Sequence, residues 1–463
     1  MSDLTVSRRR LIQIGLGTAA TAGLAATAPL PQAQAFQASP NSGSANPGLA
    51  ASIQGAYAFL NQMMDSYAQG STVRLCQSYS DQIAGGSFAS TAFVYDNAIM
   101  LLAYLARGRG QDIQRATVLG NALLYAQNND PAGDGRFRQA YFAGVDNGGV
   151  YVATGLSYFQ GSAVGDVAWP GIALAQLYAR TGVKAYLQGA IKAATFIDAT
   201  TKDPNPPGGF FFGNGQTNKS TEHNIDCYAL FSILARLTGD AKWQTEANYA
   251  KGFVEAMFDA PSGHFWTGTS DPTNIFYNNS PEDVNTWSYL AFQDPAYAVS
   301  IDWVKTNLAT TDSSFAFNNG WNNNTELKVR VNGMTFASLS KLGTVLGDTT
   351  VDADAVWLEG TGHLVAALFS RRLPAGQDLP SFHGDVALAY LLLESCQLAQ
   401  STLGAGQTVA GKPLVPGQGL TAATSVLNTG FGFNYFPYLH IGATGWYQIG
   451  ALQNNPMVLS EHR

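Results

Sequence analysis

The densest run of reactive side chains is Lys219-Ser220-Thr221-Glu222-His223-Asn224-Ile225-Asp226-Cys227-Tyr228. Ser220 or Thr221 suits a helix N-cap, and Glu222 and Asp226 then stand four residues apart on one helical face. Carboxylates in a first turn are favourable with the helix dipole and need do nothing else. Asp226, however, lies a turn further in and is followed by the apolar run Tyr228-Ala229-Leu230-Phe231. A carboxylate beside such a face either makes a structural hydrogen bond or lines a cleft. Val356-Trp357-Leu358-Glu359-Gly360-Thr361-Gly362-His363 offers a second acid, Glu359, beside an indole. Desolvation there raises a carboxyl pKa, as a general acid at neutral pH requires, although a buried Glu capping a neighbouring helix fits equally. Asp96, in Val94-Tyr95-Asp96-Asn97-Ala98, is a third acid where an apolar helix begins, and helix capping also accounts for it. Asp134-Gly135-Arg136, Asp166-Val167-Ala168-Trp169 and Asn285-Thr286-Trp287 fall at comparable helix entrances or in the loops before them. Tryptophans so placed are either sugar platforms or core residues.

Other chemistries are excluded by what is missing. The six histidines are scattered, and no His-x-x-x-His or His/Cys cluster has metal-ligand spacing, so neither metal nor cofactor is expected. There is no Gly-x-Ser-x-Gly elbow, phosphate-binding glycine loop or dinucleotide fingerprint. With 25 basic against 32 acidic residues and a net charge of −7, the chain has no nucleic-acid footprint. Carboxylate chemistry remains. Three cysteines, Cys76, Cys227 and Cys396, cannot all pair, and they read as buried small apolar residues.

The elements that must position these acids are helical. Ser7-Arg8-Arg9-Arg10-Leu11-Ile12-Gln13, an uncharged stretch to Ala28 and Ala33-Gln34-Ala35 read as a twin-arginine signal peptide over 1–35, which implies a periplasmic or secreted protein. Residues 36–50 read as a flexible linker and 51–463 as one domain, with no membrane span once the signal is removed. Apolar periodicity predicts helices over 50–69, 94–108, 111–129, 169–181, 184–200, 222–238, 240–258, 282–292, 296–309, 333–346, 354–371, 383–402 and 442–452. Gly108, Gly182 and Gly239 fall where left-handed C-caps would end helices before tight turns. Repeated helical pairs bury their faces only by stacking, and about six pairs can close into an all-α (α/α)6 toroid around a cleft. Polar-aromatic loops such as Gly208–Gly215 and Gly263–Thr269 suit its mouth and a few short β-ribbons. Nothing specifies an oligomer, and a monomer satisfies the reading.

Tyr95-Asp96-Asn97-Ala98, Ser220–Asp226, Trp357-Leu358-Glu359-Gly360-Thr361, His440-Ile441-Gly442-Ala443-Thr444-Gly445-Trp446-Tyr447 and Asn455-Pro456 together resemble secreted bacterial members of the six-hairpin glycosidase superfamily. The resemblance implies an (α/α)6 toroid with a carbohydrate cleft, and a glycoside hydrolase that cleaves a poly- or oligosaccharide by acid/base catalysis. Its matched acids are Asp96, Glu222, Asp226 and Glu359. Glu359 is expected to be the acid, from its Trp357 environment, and Asp226 or Glu222 the base. Inversion, with carboxyls about 6.5–9.5 Å apart, is the expected stereochemistry. Tyr95, His223, Asn224, Trp169, Trp266, Trp287, Trp357, His440 and Trp446 are expected to bind the sugar. Two alternatives share the scaffold. One is a polysaccharide lyase acting on a uronic-acid polymer, with His223 or Tyr228 as base and Asn224 or an arginine neutralising the substrate carboxylate. The other is a non-catalytic carbohydrate-binding protein.

Overall fold

A computed structural model describes residues 48–83, 90–144, 160–313, 330–342, 351–371 and 380–459. The segment expected to be a signal peptide, 1–35, and most of the expected linker, 36–50, fall outside them. The described α-helices run α1 Leu49–Asp65, α2 Val94–Arg107, α3 Gly110–Asn128, α4 Val164–Thr181, α5 Lys184–Thr201 and α6 Thr221–Thr238. They continue with α7 Ala241–Ala256, α8 Glu282–Phe292, α9 Ala298–Asn307, α10 Leu358–Ser370, α11 Pro380–Thr402 and α12 Ile441–Ala451.

Even-numbered helices form an inner ring, each packing on the next, with α12 returning to α2. The odd-numbered helices pack outside their hairpin partners, and α1 closes the sixth hairpin against α12. The chain is therefore an (α/α)6 toroid whose ends meet. Ser52 on α1 donates to Gln400 on α11 and lies 2.6 Å from the Tyr447 hydroxyl on α12, a buried polar seam at that closure. Glycine sets the closeness of α10 and α12, because a Cβ at Gly362 would stand 2.9 Å from the Trp446 carbonyl carbon.

Gly108, Gly182 and Gly239 adopt left-handed φ values of 64°, 71° and 69°, and their N–H groups cap Tyr104, Tyr178 and Ala235. The hairpins turn where the sequence indicated. Helix α4 begins at Val164, a turn and a half before the predicted 169, and carries Pro170 within it. Proline ordinarily belongs to a first turn, so its position misleads about the start.

All six inner helices start after an extended residue: Phe93, Ala163, Ser220, Pro281, Trp357 and His440. Five carry the same staple four residues later. Asn97 pairs with both backbone groups of Cys76, Asn224 with both of Phe210, and Asn285 accepts from the Phe265 N–H. Thr361 and Thr444 accept from the Met334 and Leu420 N–H groups and donate to the Trp357 and His440 carbonyls. Each staple ties an incoming chain to the rim of the ring.

Six two-stranded antiparallel ribbons complete the described structure. One corrects the predicted helix over 333–346. Val331–Met334 is a strand paired with Ala309–Asp312, and Ser338–Leu342 is a short 3-10 helix, with 343–346 outside the described residues. The apolar periodicity there serves tertiary packing instead: a Cβ on Gly333 would meet Val356 and Thr361 at 2.4 and 2.5 Å. Cys76, Cys227 and Cys396 are buried free thiols, as expected. No helix of the described residues is long and apolar enough to cross a membrane.

Candidate active site

Three alternate inner helices, α4, α8 and α12, send Trp169, Trp287 and Trp446 to the ring axis, with centroids 5.0–5.9 Å apart. This plug closes the toroid. Above it, at the end where all six inner helices begin, lies a cavity of about 650 Å³. Its wall includes Asp96, Asp166, Glu222, Asp283 and Glu359, one carboxyl from the first turn of each of five inner helices, and His440 at the start of the sixth.

The convergence has a simple origin. Side chains at the second or third helical position project around the N-terminal end of the ring, where unbonded backbone N–H groups and the dipole favour negative charge. Tyr95, Trp169, His223, Trp287 and Trp357 also line the cavity. Four expected contact residues do not. Asp226 is wholly buried behind the wall, with neither carboxyl oxygen making a normal hydrogen bond. Asn224 spends its amide on Phe210 and Ser220, and is a loop staple. Trp446 lies under Tyr95 and donates to its hydroxyl at 2.8 Å. Trp266 packs edge-on against His264 and Tyr277, off the cavity wall. Tyr228 packs against Phe292.

The acids form two groups. Around Glu359, the Tyr95 hydroxyl donates to Oε1 at 2.6 Å, and His440 Nδ1 stands 3.6 Å from Oε2. His440 Nδ1 accepts from the Ala443 N–H, and Nε2 lies 3.1 Å from Asp96, while the ring stacks on Tyr79. Burial works against a charged His440, but Asp96 and Glu359 outweigh it and its pKa is raised. Burial pushes Glu359 up to about 7, opposed by His440 and by the Tyr95 hydrogen bond.

The second group is Glu222, Asp226, Asp283 and Asp166, and among the described residues no basic side chain is ion-paired with Glu222, Asp226 or Asp283. Burial and then the neighbouring Asp283, Asp166 and Glu359 hold Glu222 well above the usual carboxylate range. Asp226 is raised by burial and then by Glu222 and Asp283, and Asp283 is raised by burial to about 7. Such a set cannot ionise together, so part of it keeps protons at neutral pH. His223 is pushed down to about 4 by burial and is neutral there. Among the described residues, the lining Arg and Lys side chains are committed: Arg136 to Asp134, Arg138 to Asp130 and Lys219 to Asp203. Among the described residues no group of three or more His, Cys, Asp or Glu is arranged to hold a metal ion.

The sequence reading missed Asp283 and undervalued Asp166. Both share the signal of Asp96 and Glu222, an acid at the second or third position of an apolar helix. It also missed an aromatic wall of Phe336, Phe431, Phe433 and Tyr435, which faces the cavity beside Trp357.

No family model and no curated relative matches the sequence. Solved structures do match. A family 76 glycoside hydrolase from a bovine Bacteroides thetaiotaomicron strain is 14% identical, with TM-score 0.54 over 86% of this chain and 76% of that one. Unsaturated glucuronyl hydrolase from Streptococcus agalactiae is 13% identical, with TM-score 0.53 over 87% and 91%. The GH76A α-1,6-mannanase from Salegentibacter sp. HEL1_6 is 13% identical, with TM-score 0.51 over 87% and 98%. Identities this low carry architecture and not activity. The chain thus shares the (α/α)6 toroid of these solved structures.

Proposed function

We propose that the protein is a glycoside hydrolase whose acid–base pair is Glu222 and Glu359. The observation that carries this is the convergence of five first-turn carboxyls on one cavity floored by Trp169 and Trp287. Glycosidic cleavage needs one protonated and one ionised carboxyl facing the same space. The surroundings favour roles opposite to those the Trp357 environment suggested. Glu222, with no basic side chain ion-paired to it among the described residues, retains its proton and protonates the leaving oxygen. Glu359 accepts from Tyr95 and faces His440, so it is the group that ionises and activates water. Asp226 cannot reach a substrate from behind the wall, where burial and the neighbouring Glu222 raise its own pKa.

Tryptophan and tyrosine faces on the floor and wall suit the C–H faces of a pyranose. An acid-rich wall whose described Arg and Lys side chains are already paired disfavours a uronic-acid polymer, and with it the lyase alternative. Export by the twin-arginine route, with a periplasmic or extracellular substrate, belongs to the same proposal. Reducing ends released from a panel of glucans, mannans, arabinans and uronans provide the test, with absorbance near about 230 nm monitored for an eliminated product. Release from a neutral glycan without new absorbance supports hydrolysis. New absorbance would mean a lyase, and tight glycan binding with neither signal would mean a binding protein.

A further inference from the structure

Beneath Glu359, away from the cavity, lies a second acid–imidazole contact that the proposed chemistry does not use directly. His363 follows Glu359 by one turn of α10 and is 0% exposed, as is Glu282, the first residue of α8. His363 Nδ1 is 2.9 Å from Glu282 Oε2, and Nε2 is 3.9 Å from Glu359 Oε1. Trp446, Trp287 and Trp357 enclose the ring, with centroids at 4.4, 4.9 and 5.1 Å. Among the described residues Nε2 has no hydrogen-bond partner, and it faces Glu359 Oε1.

Burial acts on both groups in the direction of the neutral form, raising Glu282 well above the carboxylate range and lowering His363 well below its usual value. A neutral Glu282 carboxyl donates its O–H to Nδ1. The imidazole must then carry its own proton on Nε2, on the side of Glu359.

We propose that His363, held in one tautomer by the Glu282 carboxyl, is a positioning residue that directs an N–H at Glu359 and favours its ionised, water-activating form. This rests on the reading of Glu359 as the base. The separation of 3.9 Å is about 1 Å beyond a hydrogen bond, a gap closed by a small rotation of Glu359 when it ionises. Glu359 is also faced by Tyr95 and Asp96 from α2, Glu222 from α6, Asp283 from α8 and His440 before α12.

Two measurements on the free protein test this without substrate, so they stand or fall apart from the glycosidase reading. Ring-15N shifts of His363 should show the Nε2–H tautomer across about pH 5 to 9. An Nδ1–H tautomer or an imidazolium would overturn the proposal. Carboxyl-13C titration, with the Glu359 signal assigned by its loss in Glu359→Gln, should place its midpoint near 7 in the wild type. His363→Leu and Glu282→Leu should raise that midpoint by about one unit, and Glu282→Gln, whose amide still donates to Nδ1, should restore it. An unmoved midpoint in a folded His363→Leu protein, or no restoration by Gln, would contradict it.

Discussion

Two glutamates with different neighbours divide the proposed chemistry at the scale of single residues. If Glu222 is the proton donor, Glu222→Gln should lose about 10²–10⁴-fold in kcat/KM on ordinary glycosides but far less on dinitrophenyl glycosides, whose leaving group needs no proton. Glu359→Gln should lose about as much on both. The opposite pattern would restore the assignment suggested by Trp357. Glu222, Glu359 and Asp96 were legible because each is an acid where an apolar helix begins, and Asp226 because it stands a turn further along the face of Glu222. Whether such an acid faces a cavity is not local information. Asp226 and Glu222 share a helical face, yet the packing of α4 on α6 leaves Asp226 behind the wall. Asn224 looked like a ligand because it sits in an acidic motif, and only the position of Phe210 reveals it as a staple.

At the scale of elements, the site depends on how incoming chains are fastened to the inner helices. Removing a staple leaves buried backbone groups unsatisfied, at about 1–3 kcal/mol. Asn224→Ala should therefore lower the melting temperature and weaken kcat/KM while leaving the pH midpoints in place. A shifted midpoint with unchanged stability would give Asn224 a part in the chemistry after all. The glycine ends of α2, α4 and α6 were readable because a left-handed cap is a local requirement. Val331–Met334 was not, since its extended form is imposed by Ala309–Asp312 across the ribbon and by Val356 and Thr361 against Gly333. The recurring Asn or Thr four residues after five of the six inner N-caps was visible but meaningless until its partners were known.

For the whole molecule, hairpin periodicity indicated a ring, but the pairing of α1 with α12 that closes it comes from chain ends nearly four hundred residues apart. Closure gathers more buried carboxyls than the chemistry needs, and this has a cost in stability. Asp226, Glu222 and Glu282 bind protons more tightly folded than unfolded. Their contribution is fully present below the unfolded value, about pH 4, and is lost as pH rises toward their higher folded values. Asp226→Asn should accordingly raise the melting temperature by about 1–3 °C at pH 8 and change it little at pH 4. Equal shifts at both would mean that Asp226 is not a proton-holding acid. The central claim, that carboxyls gathered at one end of the ring cleave glycosidic bonds, is met most directly by reducing-end release from neutral glycans, comparing the wild type with a Glu222→Gln/Glu359→Gln double variant. The wild type should release sugar from at least one glycan and the folded double variant should not; equal release by both would contradict the account.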